Sequence, residues 1–162
     1  MTRKVSGFSF SISVTPTIGT SAYAAADQLG DEMVVDPGVA DDSAHDAYVI
    51  QSITVVDKAS QAAAIDLVFF DDSVTIASDN AAADFTDAQL VANCLGHVSI
   101  TADDYIAFND NSIATVRNVG LQLKMESGGG DGKIYCYAVS RGTPTYVSTS
   151  DLTMRFGLAA DL

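Results

Sequence analysis

His45 and His97 are the chain's two histidines, and among its many serines and aspartates they supply the raw material for a Ser-His-Asp relay. The relay lacks a scaffold. No Gly-x-Ser-x-Gly elbow lifts a serine into a strained turn, His45 sits in the acidic stretch 41–46, and His97 opens an apolar run. Both read as solvated or structurally hydrogen-bonded imidazoles. Asp41-Asp42, Asp71-Asp72 and Asp103-Asp104 pair carboxylates in sequence, but acid/base hydrolysis of a glycoside needs two carboxyls facing each other across a cleft. The chain has no tryptophan to serve as a sugar platform.

Gly128-Gly129-Gly130-Asp131-Gly132-Lys133 invites comparison with a phosphate-cradling loop, yet Ile134 stands where Ser or Thr is needed and Ser127 where the first glycine should be. It reads as a turn between strands. Asp103-Asp104 with Asn109-Asp110-Asn111 is the most oxygen-rich stretch, without the register of a calcium-binding loop. Cys94 and Cys136 form no CxxC pair and lie in apolar surroundings, which predicts reduced, buried thiols. No catalytic, cofactor-binding or metal-binding residue is assigned.

The elements around these residues are strands. Phe8, Phe10, Ile12 and Val14 alternate with Ser9, Ser11, Ser13 and Thr15, the strictest two-residue period in the chain, and Pro16 ends the run. Met33-Val34-Val35 is a short strand before Asp36-Pro37-Gly38. Tyr48–Asp57 and Ala64–Asp71 are rich in Val, Ile, Thr and Phe and form the central strands, and their short link suits an antiparallel connection. Thr86-Asp87-Ala88-Gln89 matches a capping box, which predicts one short helix through about Asn93 with Gly96 near its stop. Leu95–Thr101 returns to strand, and 103–111 is a turn-rich connection.

Val119, Leu121, Leu123 and Met125 then alternate with polar residues, and a hairpin with Lys133–Ser140 is expected across the glycine-rich tip. Leu152, Met154, Phe156 and Leu158 close the fold. About eight strands, one helix and no βαβ alternation predict an all-β antiparallel sandwich, jelly-roll-like, with residues 1–20 as an N-terminal strand or arm and 21–162 as the sandwich domain.

Charge is distributed unevenly. Residues 27–110 hold 17 of the 21 acidic residues and one base, Lys58, whereas the flanking segments carry a slight positive excess. An acidic surface repels phosphates and anionic lipid, so direct contact with nucleic acid or membrane is not expected. No secretory signal is read at the N-terminus, because serines interrupt any apolar run, and synthesis in a reducing cytoplasm is expected.

Four stretches carry a resemblance. Ser21–Gly30 (SAYAAADQLG), Val49–Lys58 (VIQSITVVDK), Ala114–Leu121 (ATVRNVGL) and Ser140–Tyr146 (SRGTPTY) are similar in order and spacing to small virion structural proteins of tailed bacteriophages, most like head decoration, or cement, proteins. The resemblance implies a non-enzymatic role on the capsid surface, with the major capsid protein and further copies of the chain, as dimer or trimer, as partners and with no cofactor. Arg3, Lys4, Phe8 and Phe10 are the expected contact residues, from the charge and apolar alternation of the first strand. A tail or baseplate adaptor, or a receptor-binding head, would use the same fold. A carbohydrate-binding jelly roll would instead display an aromatic platform, for which Tyr135, Tyr137 and Tyr146 are the candidates.

Overall fold

The computed structural model describes residues 9–37, 47–124 and 133–160. Nine strands form within them: β1 (Ser9–Val14), β2 (Met33–Val35), β3 (Ala47–Asp57), β4 (Ile65–Phe70), β5 (Cys94–Ile100), β6 (Tyr105–Ala107), β7 (Ser112–Lys124), β8 (Ile134–Ser140) and β9 (Leu152–Ala160). A single α-helix, α1 (Asp87–Asn93), precedes β5. They build a five-stranded sheet in the order β1-β9-β3-β7-β6 and a four-stranded sheet in the order β2-β8-β4-β5, with every pairing antiparallel.

The pairings nest. β4 pairs with β5, β3 with β7, β2 with β8 and β1 with β9, as though one long hairpin had been rolled up on itself. Rolling brings β9 against β3 and β8 against β4, which closes the two sheets. This is jelly-roll topology. The ninth strand, β6, is a three-residue addition beside β7 that the turn-rich reading of 103–111 did not anticipate.

Two expected connections are corrected by this nesting. β3 and β4 do not pair, because the link after Asp57 crosses from one sheet to the other. Asp57 forces that crossing: its buried carboxylate accepts the Ala59 amide at 2.9 Å and the Ala62 amide at 2.8 Å, and Ser60 and Ala62 take positive φ. Likewise β7 and β8 belong to different sheets and are not a hairpin; the glycine-rich tip between them, and His45, lie outside the described residues.

Between the sheets lies the main core. Ile50, Ile53, Val55, Phe69, Met154, Phe156 and Leu158 are each at most 2% exposed, and Phe69 meets Phe156 edge-on with centroids 5.9 Å apart. Alternation along each strand puts these side chains inward. Both cysteines are free thiols; Cys136 is buried in this layer as expected, whereas Cys94, expected to be buried, is only partly so.

The capping box is present: the Gln89 amide donates to Thr86 Oγ1 at 3.2 Å, and the Thr86 amide donates to Gln89 Oε1 at 2.8 Å. Gly96 is not at the helix stop. α1 ends at Asn93, and Gly96 lies inside β5 with φ +142, at the register shift opposite Phe69 and Phe70. A Cβ there would lie 2.9 Å from Leu121 Cδ1, so glycine permits both the bulge and the close approach of the facing sheet.

Candidate assembly surface

The two sheets present different outer faces. Over the four-stranded sheet, segment 71–86 forms a lid on a second apolar cluster of Phe70, Val74, Tyr135 and Tyr137, against which Val68, Ile76, Phe85 and Cys94 pack. Phe85 stacks on Phe70 at 5.3 Å and meets Tyr137 edge-on at 5.9 Å. The Tyr137 hydroxyl lies against two acceptors, Glu32 Oε2 and Val74 O, that share its one proton, and it accepts the Val74 amide at 3.1 Å. Burial first, and then the bond to the Glu32 carboxylate, push the Tyr137 phenol well above its ordinary value. A second latch uses Asp79, whose Oδ1 accepts Tyr23 Oη at 2.5 Å and the Gly30 amide at 2.6 Å.

This geometry removes the carbohydrate platform. Tyr135, Tyr137 and Tyr146 are 8, 2 and 1% exposed, and a ring enclosed on both faces cannot stack on a sugar. The acids gather on this side as well: Asp27, Asp31, Glu32, Asp71, Asp72, Asp79, Asp84 and Asp87 belong to the two segments joined at the Asp27–Ala82 bridge and to the start of α1. Asp66 points outward from β4 and bonds Arg141 at 2.6 Å. Burial works against the Asp66 anion, but bonds from Ser99 and Arg141 and the charges of Arg141 and His97 outweigh it and hold this carboxyl below its ordinary value.

The outer face of the five-stranded sheet has no such lid among the described residues. Its rows run straight across the strands: Ser13, Arg155, Thr54 and Thr115 are consecutive partners, as are Ser11, Gly157, Ser52 and Arg117. Short hydroxyl side chains keep it flat, and they bond one another, with Thr54 and Thr115 hydroxyls 3.3 Å apart and Arg155 Nε donating to Ser13 Oγ at 3.2 Å. At the far side Ile106, paired with Ile113, is 66% exposed, with Phe108 at 57% just beyond. The single acidic residue in these five strands is Asp57, which points inward. A chain of net charge −13 thus carries one sheet face whose exposed charges, among the described side chains, are the two arginines Arg117 and Arg155.

The other residues singled out in the sequence land apart. His97 is exposed on β5, Asp103 and Asp104 lie in a 3₁₀ turn in which Asp104 caps Thr101, and among the described residues no group of three or more His, Cys, Asp or Glu is placed to hold a metal ion. Arg3, Lys4 and Phe8 lie outside the described residues. Phe10 is half-buried on the inward side of β1, edge-on to Tyr48 at 5.9 Å, where it flanks the core. Arg117, Arg155 and Ile106 were not signalled by the sequence, because only the register brings them to one face.

No protein-family model matches the chain, and no curated protein matches it. Among solved structures, chains described as Desmodium yellow mottle tymovirus, turnip yellow mosaic virus and the empty head of turnip yellow mosaic virus align with it at 14, 13 and 12% identity. They cover 96, 95 and 99% of this chain and 82, 79 and 84% of theirs, with TM-scores of 0.29, 0.33 and 0.31. Superposition at that level does not establish a common fold, and the jelly-roll assignment rests on the strand pairing.

Proposed function

We propose that the protein is a non-enzymatic structural component of a virion, a decoration protein that seats the flat outer face of its five-stranded sheet on the capsid and bridges neighbouring capsid subunits. The observation that carries this reading is the contrast in charge: a strongly acidic chain leaves one sheet face free of carboxylates, with two arginines and an exposed isoleucine as anchors. Arginine beside apolar contact area is the composition of energetically dominant interface positions, whereas the acidic opposite side favours solvent. The sequence resemblance to phage decoration proteins supports the same role.

The test is occupancy on purified particles. Decoration predicts on the order of hundreds of copies per virion, because every equivalent capsid position offers the same seat; a handful of copies at one vertex would favour the tail or baseplate adaptor and overturn the decoration reading. Arg117→Glu with Arg155→Glu should abolish sedimentation with particles while leaving the circular dichroism unchanged. Undiminished binding of this variant would remove the face from the proposal. Deleting residues 1–20 is the poorer experiment, since it strips β1 from β9 and removes the buried Ile18.

A further inference from the structure

We infer that two copies of this chain pair edge to edge through β1, joining their five-stranded sheets into one ten-stranded sheet about a two-fold axis beside Ile12. Two sheets have four edges, and three of them are defended in recognised ways. β2 and β6 are three residues long, and β6 is flanked by Asp103, Asp104 and Asp110. β5 carries the bulge at Gly96 and follows directly on α1. β1 has none of these protections: six residues without charge, proline or bulge, in unbroken register with β9 on one side and, among the described residues, with no strand on the other.

The sequence of β1 is complementary to itself. In an antiparallel pair centred on Ile12, Ile12 meets Ile12 of the second copy, Phe10 meets Val14 on the inward side, and Ser11 meets Ser13 on the outward side, so both faces of the pleat continue without a misfit. Phe10, Ile12 and Val14 are only half-buried within one chain although they pack against its core, so the added strand would complete their cover. The β1 edge itself, with Ser9, Ser11, Ser13 and the nearby Arg155 exposed, brings no carboxylate of β1 or β9 to the contact; the acids on that side of the molecule, Asp31, Glu32 and Asp36, flank β2 in the other sheet. For particle binding, where this rests on the virion reading, pairing would double the flat face and add avidity.

Sedimentation of the full chain without particles tests the pairing. The wild type should be a dimer, and Ser11→Lys, an exposed position whose replacement leaves the inward side intact, should weaken it at least about tenfold by setting like charges near the axis. Ser11→Asp should do the same, and mixing the two variants should restore the dimer. A monomeric wild type, a trimer, or a dimer indifferent to both substitutions overturns the inference. A Ser11→Lys monomer that still binds particles would leave the virion reading standing, whereas a wild-type dimer that ignores particles would remove that reading and leave this one.

Discussion

The outer faces of the two sheets are built from the same strand chemistry and put to opposite uses. Over the four-stranded sheet, outward Val68, Tyr135 and Tyr137 are too apolar to meet water, and the chain covers them with Val74, Ile76 and Phe85 of segment 71–86. Over the five-stranded sheet, outward serines and threonines are tolerable in water without a lid. A side chain on the covered side therefore contributes to folding, while one on the bare side is free to serve contacts with other molecules. That separation lets a single small domain keep a stable interior and an uncommitted surface.

Substitutions can break or sharpen the contrast. The largest effect belongs to the layer both faces share: Phe69→Ala should cost about 3–5 kcal/mol in chemical denaturation, because the cavity against Phe156 cannot collapse between two sheets. On the covered side, Tyr137→Phe should cost about 1–3 kcal/mol, since Val74 and Glu32 lose their hydroxyl partner in a buried setting. A cost near zero would show that the lid is held by apolar contact alone.

Acid should act on the covered side too. The Asp66 carboxyl is held below its ordinary value in the folded chain, so its stabilisation is complete above the unfolded value near 3.8 and is lost as pH falls through the lower, folded one. Arg141→Met should flatten that part of the stability-against-pH curve, and modestly, because the Arg141 side chain is half exposed. The smallest effect is expected on the bare side: Arg155→Glu should change stability by no more than about 0.5 kcal/mol. A larger loss there would mean that the face is a structural element and the contrast false.

Much of the architecture was legible because local signals were unambiguous. The serine alternation of β1, the β-branched run of β3, the Thr86–Gln89 capping box and the inward residues of β9 each announce their element through period or cap geometry. What the chain did not announce was partnership. Turn chemistry at the glycine-rich segment is the same whether the flanking strands pair or diverge into facing sheets, and the turn after Asp57 uses Ser60 and Ala62 at positive φ where a glycine would have been the usual sign. The aromatic alternation of Tyr135 and Tyr137 reads equally as a binding platform or a covered layer, and only the lid decides between them. Arg117 and Arg155 are 38 positions apart in sequence and come to one face, on strands separated by β3, only once the strands are paired.

The placement of the two thiols has a practical consequence. Cys136 is wholly enclosed between the sheets, and burial pushes its thiol well above the usual range, so alkylation there must await complete opening of the molecule. Cys94 lines a cleft with Phe85 and Leu90 at the margin of α1, where fraying of a few residues would bare it. One alkylating reagent and a mass spectrometer can therefore clock two events in the same native sample, the lifting of a flap and the rupture of the whole barrel-like body, without any dye or engineered label.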